Sequence, residues 1–171
     1  MKRVIAVVLA LCPLTFSQTK NPVTTVVQQI LPRQESNLTG AVEAMPADKF
    51  GYKPTPQQMS FGKLVVHIIE SDNFLCSKIG DISEPKIPEP SETDSKEKLA
   101  GALKASFDFC KAALEKTDDS KLGDTIELHG GRQGPRALAM FALTNDWADH
   151  YSAAAMYLRL NGILPPSAQK K

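Results

Sequence analysis

The stretch from Pro135 to Gly162 reads PRALAMFALTNDWADHYSAAAMYLRLNG, and its periodicity decides the fold class. Leu138, Ala139, Ala142, Leu143, Ala153, Tyr157 and Leu160 recur at steps of three and four, or their multiples, as on one face of an amphipathic helix. Pro135 suits the first helical position and Asn161-Gly162 a stop, so the spacing predicts a helix over 135–161. A helix that long with one apolar stripe must bury it against other elements.

Three further stretches supply those elements. Val26, Val27, Ile30, Leu31, Leu38, Ala41, Val42 and Met45 predict a helix over 23–45, which Pro32 is expected to kink or divide because it removes an amide donor and clashes with the preceding turn. Ser60 as N-cap and Gly80 as stop bound a second helix over 60–79, carrying Phe61, Leu64, Val65, Ile68, Leu75, Cys76 and Ile79. Asp94-Ser95-Lys96-Glu97 resembles a capping box and opens a third helix over 95–117, striped by Leu99, Ala102, Leu103, Phe107, Cys110, Ala113 and Leu114. The break from Met45-Pro46 through Pro54-Thr55-Pro56 reads as turns and extended chain. Asp81 to Asp94, with three prolines and five acids against one lysine, reads as a solvated connector and not as a site. Between Asp118 and Gly134 only Thr125-Ile126-Glu127-Leu128 alternates enough for a very short extended piece. The outcome is an all-α four-helix bundle with long inter-helix loops, whose length leaves the helix order open.

Composition sets the outer bounds. The chain has 171 residues, 20 basic and 19 acidic side chains and 6% aromatics, which disfavours a basic nucleic-acid surface. Apolar residues at 42% and charged residues at 23% exclude wholesale disorder and a multispanning membrane protein. Lys2 and Arg3, the apolar run Val4 to Leu11 and the small residues of Thr15-Phe16-Ser17 predict a secretory signal peptide over 1–17, followed by one domain over 18–171. That run falls short of the roughly 20 residues needed to span a bilayer, so no stable membrane span is expected after cleavage. Leu11 directly before Cys12 argues against lipoprotein processing. The expected location is periplasmic or secreted. Losing Lys2 and Arg3 turns a net charge of +1 into −1 and leaves Cys76 and Cys110 where disulfides persist. They are either a bridge or two buried thiols, a choice set by their Cα separation.

On the last helix Asp146 and His150 point nearly the same way as Ala139, Leu143, Ala153 and Tyr157, at about 100° per residue. Burying either group costs several kcal/mol, on the order of a lost ion pair, unless it finds a partner. They could satisfy each other as a hydrogen-bonded pair, or hold a divalent metal from positions i and i+4. His67, at the margin of the second helix's apolar arc, is the candidate third ligand. Asp72 falls inside that arc, either as an acceptor orienting a histidine or as a carboxylate capping a buried hydroxyl. Gln34 and Asn37 point along the Ile30 and Ala41 direction and are expected to line a polar pocket. His129, between Leu128 and two glycines, is left outside the site. Triad hydrolases, phosphate loops, zinc cysteine pairs and HExxH peptidases have no motif here.

The chain resembles the DinB-like four-helix-bundle superfamily of metal-dependent enzymes. The resemblance is carried by Met45-Pro46-Ala47-Asp48-Lys49-Phe50-Gly51-Tyr52-Lys53-Pro54-Thr55-Pro56, by Ser60-Phe61-Gly62-Lys63-Leu64 leading to His67, and by Asp146-Trp147-Ala148-Asp149-His150-Tyr151 leading to Tyr157 and the Leu164-Pro165-Pro166 tail. In that family one histidine of the second helix and two of the last helix, four apart, bind a divalent metal. The resemblance therefore implies a metal at His67, Asp146 and His150, with Asp146 standing where the family has histidine. A set of two imidazoles and one carboxylate suits nickel, zinc, manganese or iron. It further implies a small-molecule substrate and, by analogy, a homodimer. Family chemistry includes thiol-dependent transfer and isomerisation. Export favours metal-activated hydrolysis instead, or plain metal or small-ligand binding without catalysis.

Overall fold

The computed structural model describes residues 20–169. The expected signal peptide and the first residues after it lie outside that range. Four helices make the body: α1 (Pro22–Ala44), α2 (Phe61–Gly80), α3 (Lys96–Glu115) and α4 (Arg136–Leu160). Two three-residue strands, β1 (Thr125–Glu127) and β2 (Gln133–Pro135), pair antiparallel with Ile126 opposite Gly134. The short extended piece expected near Thr125 is thus half of a hairpin.

α2 packs against both α3 and α4, and α1 packs against the same two helices. Two of the three sequence-consecutive pairs, α1 with α2 and α3 with α4, therefore sit across the diagonals of the bundle, whereas α2 and α3 are neighbours. The long connections allow this, because only short loops force consecutive helices to be neighbours. The core is continuous through Leu31, Leu38, Phe61, Ile68, Leu103, Phe107, Leu143 and Trp147. Phe107 and Trp147 lie with ring centroids 5.6 Å apart. No helix among the described residues is long and apolar enough to cross a membrane.

Several local expectations change. α1 is not divided at Pro32, which is exposed, because Leu31 and Leu38 anchor the helix on either side of it. Tertiary packing of an apolar face outweighs the local cost of one proline. The N-terminus of α1 has no cap of its own; the Asp119 carboxylate accepts from the amides of Val23 (2.8 Å) and Thr24 (2.9 Å) and from the Thr24 hydroxyl (2.7 Å). Although desolvation pushes the other way, those bonds hold the Asp119 carboxyl below its usual range.

Ser60 caps α2 and Ser95 caps α3 by accepting from the amides of Lys63 and Lys98. Gly80 is not the stop of α2 but its last residue. A side chain there would meet Ala113 of α3 at 2.8 Å, so the glycine permits close helix approach, while Asp81 takes the left-handed position with φ 52°. Pro135 is the residue before α4, not its first. The α4 stripe is partly rotated: Ala139, Leu143 and Tyr157 are buried as spaced, but Met140, Trp147, Ala154 and Leu158 are buried too, whereas Leu138 and Leu160 are about half exposed. α4 carries apolar residues nearly all round, which blurs the phase of any stripe.

Cys76 and Cys110 form a disulfide joining α2 to α3, with Cα atoms 5.0 Å apart. Arg136, 5% exposed, reaches back to the end of α2 and donates to the carbonyls of Lys78 (2.5 Å) and Ile79 (3.0 Å). The Ile79 carbonyl also accepts from the Thr117 hydroxyl (2.8 Å), and a cation at this helix end complements the helix dipole.

Candidate metal centre

α2 and α4 pack side by side, and this contact brings His67 to the pair four residues apart on α4. His67, Asp146 and His150 each offer a ligand atom, and these atoms all lie within 4.8 Å of one another. The His67 and His150 rings are 4.7 Å apart between centroids. All three residues are half-buried, at the edge of the core and open to solvent on one side.

Asp146 and His150 do not satisfy each other as a hydrogen-bonded pair. His150 Nδ1 lies 2.7 Å from the Asp146 backbone carbonyl and 3.5 Å from its carboxylate. In the neutral imidazole, Nδ1–H donates to that carbonyl and leaves Nε2 as a free lone pair, the tautomer a metal ligand needs. Asp146 Oδ2 is buried without a hydrogen-bond partner. Burial raises the Asp146 carboxyl above the usual carboxylate range, against the opposing influence of His150 and His67. A buried, unpaired carboxylate oxygen beside two imidazoles is a costly arrangement that a divalent cation would relieve. The donor set fits such an ion.

A cavity of about 480 Å³ opens beside the cluster and takes His67 and Asp146 into its wall. Phe74, Leu75 and Ala142 form its apolar lining; Glu70, Ser71, Glu84 and His129 are its remaining polar residues. Two of these are residues that the sequence reading placed outside the site. His129, set aside on sequence, is carried to the cavity by the β1–β2 hairpin and stands edge-on to Phe74, with centroids 5.8 Å apart. Gly130 and Gly131 follow with φ 73° and 74°, left-handed values that glycine adopts freely and that close the hairpin turn. Glu84 belongs to the connector expected to be no site. Neither residue bears a helical signal, and both arrive through tertiary contacts.

The expected supporting residues are not in this wall. Asp72 is fully buried in the core, where it accepts from Trp147 Nε1 (2.6 Å) and meets the Ser106 hydroxyl (2.7 Å). It thus serves a buried hydroxyl and an indole, not a histidine. Gln34 and Asn37 are half-buried on α1 and line no part of the cavity, and Gln34 Oε1 has no hydrogen-bond partner. Trp147, next to Asp146, links α4 to Asp72 through its indole N–H, a polar role that helical periodicity does not signal.

Residues 30–150 match the model of the DinB superfamily. The chain belongs to the DinB superfamily. Among solved structures, a DinB-like protein from Bacillus subtilis is 20% identical, with a TM-score of 0.67 over 85% of this chain and 99% of that one. A DinB-like protein from Bacillus cereus is 14% identical, with a TM-score of 0.67 over 82% of this chain and 93% of that one. The mycothiol-dependent maleylpyruvate isomerase is 13% identical, with a TM-score of 0.62 over 75% of this chain; the match spans 59% of the isomerase's length. At these identities the likeness establishes the shared bundle. No match was found among curated protein sequences.

Proposed function

We propose that this DinB-superfamily chain is an exported, divalent-metal-dependent enzyme of hydrolytic type acting on a small molecule. The observation that carries the reading is the convergence of His67, Asp146 and His150 within 4.8 Å at the wall of a cavity large enough for a small substrate. A divalent ion in such a site supplies Lewis acidity and brings the pKa of a coordinated water towards neutrality. The chain's own residues supply the rest. The Asp146 carbonyl fixes the His150 tautomer, Asp146 supplies the one negative charge, and the apolar wall of Phe74, Leu75 and Ala142 limits water around a bound substrate. Export is supported by the leader-like residues 1–17 and by the Cys76–Cys110 disulfide, which an oxidising compartment maintains.

The fold shared with a mycothiol-dependent isomerase favours a second reading, in which a small thiol is the activated nucleophile. Thiol-dependent turnover on electrophilic substrates would select it over hydrolysis. The test of the metal is elemental analysis of the untagged protein, purified and then reconstituted with zinc, nickel, manganese or iron(II). One equivalent is expected to bind, and His67→Ala, Asp146→Ala and His150→Ala are each expected to lose it with little loss of stability. If no ion binds stoichiometrically, or if His150→Ala chiefly unfolds the protein and leaves metal content unchanged, the proposal fails.

A further inference from the structure

We infer that the cavity beside the metal cluster takes a bifunctional ligand that carries a metal-seeking donor, an apolar body and a protonated amine. The inference rests on the metal-dependent reading above and adds the class of ligand. His67 and Asp146, half-buried in the cavity wall, define where a donor atom would be held. Phe74, Leu75 and Ala142 supply the apolar part of the wall. Glu70, three residues after His67 on α2, and Glu84 from the connector are both exposed and line the same cavity, although they come from different elements.

No lysine or arginine lines the cavity to offset these two carboxylates. The nearest cation named by the geometry is Lys78, whose Nζ lies 5.3 Å from the Phe74 ring centroid. Lys78 lines a neighbouring cleft with Asp81 and Glu127 and is not part of this wall. Its position also shows that the Phe74 ring accepts an ammonium at a cation–π distance. A ligand amine in the cavity would meet two carboxylates and aromatic walls. A ligand carboxylate would meet two like charges, which narrows the class to cationic or neutral molecules.

Three hydroxamates of matched length separate these cases: 6-aminohexanohydroxamic acid, heptanohydroxamic acid and adipic acid monohydroxamate. Each presents the same metal-binding head, and the tails are cationic, neutral and anionic. Titration calorimetry at low salt on the zinc-loaded full chain is expected to rank them in that order, with about tenfold between the ammonium and carboxylate tails, as two exposed charge pairs of reversed sign would give. In the Glu70→Gln, Glu84→Gln double variant, both sites being exposed, the ratio should fall to near one while zinc content stays unchanged. Equal or tighter binding of the anionic tail overturns the inference, as does a ratio that survives the double substitution. Absence of bound zinc would overturn the metal reading and this one with it; bound zinc without tail preference overturns this one alone.

Discussion

Asp72 should be neutral in the folded protein at mildly acidic pH, and replacing it with asparagine should remove a stability loss that otherwise accompanies rising pH. The argument begins with a proton count. Ser106 Oγ is 2.7 Å from Asp72 Oδ2 and 2.8 Å from the Leu103 carbonyl, yet a hydroxyl has one proton. If that proton goes to Leu103, the contact with Asp72 is a hydrogen bond only when Asp72 donates. The other oxygen, Oδ1, accepts from Trp147 Nε1. A carboxylic acid therefore satisfies every group, whereas a carboxylate competes with Leu103 for one proton. Complete burial pushes the carboxyl from 3.8 up to about 7, even though the bonds to Ser106 and Trp147 pull it down, and the charge of Asp146 adds to the rise.

A folded pKa above the unfolded one means that the native state holds the proton longer, so stability falls as pH climbs from about 4 to about 7 and then levels. At about 1.36 kcal/mol per pH unit, the displacement corresponds to roughly 4 kcal/mol in all, of which about 3 kcal/mol is lost between pH 5 and pH 8. Asparagine keeps the shape, accepts from Trp147 through Oδ1 and donates to Ser106 through its amide. Urea unfolding of the disulfide-intact protein, with chelator present and at both pH values, gives the comparison. Other titrations, those of the metal-site residues included, cancel to first order in the difference between wild type and Asp72→Asn. The expected result is a wild type that weakens by about 3 kcal/mol more than the variant on going to pH 8. Equal pH dependence in the two proteins, or a variant several kcal/mol weaker at pH 8, on the order of a broken buried ion pair, would refute the neutral acid.

Three other outcomes follow from contacts outside the cavity wall. Arg136→Ala should cost about 2–4 kcal/mol in denaturant unfolding, because it strips the end of α2 of a buried charged donor. Asp119→Ala should cost about 1–2 kcal/mol by uncapping α1; in wild type this contribution is present above the unfolded pKa and fades as pH falls through the lowered folded value, so the two proteins should converge in stability at strongly acidic pH. Reduction of the Cys76–Cys110 bridge, which closes a 34-residue separation, should lower stability by about 4 kcal/mol on the chain-entropy account, read as a shift in urea midpoint with and without reductant.

The helices were legible because each carries its signal within itself. Ser60 and Ser95 cap where their side chains and the following apolar residues say they should, and the α3 stripe from Leu99 to Leu114 is buried as spaced. What failed was local evidence overruled by distant partners. Pro32 does not divide α1 because buried leucines hold both sides, and the α1 N-terminus is satisfied by Asp119, more than 90 residues away. Helix order was beyond reach for the same reason. Periodicity says which face is apolar and nothing about which neighbour covers it.

The candidate site divides along the same line. Asp146 and His150 share a helix, so their i, i+4 spacing alone aims them together, and His67 followed from its place at the edge of the α2 arc. Glu84 and His129 could not be placed this way, since each lies in a connection whose course is set by what it packs against: the hairpin closes over Phe74, and its exit is pinned by Arg136 at the end of α2. A bundle thus writes its ligand set into helical spacing but delegates the opposite wall of the cavity to loops. That division has a physical consequence. The candidate metal ligands stand on packed helices, tied further by the Trp147–Asp72 bond one residue from Asp146, whereas Glu84 and His129 stand on connections that can change without disturbing the core. On the proposed reading, metal binding and ligand preference should therefore respond separately to substitution, with His67, Asp146 and His150 governing the first and the loop residues Glu84 and His129, together with the exposed Glu70 of α2, the second.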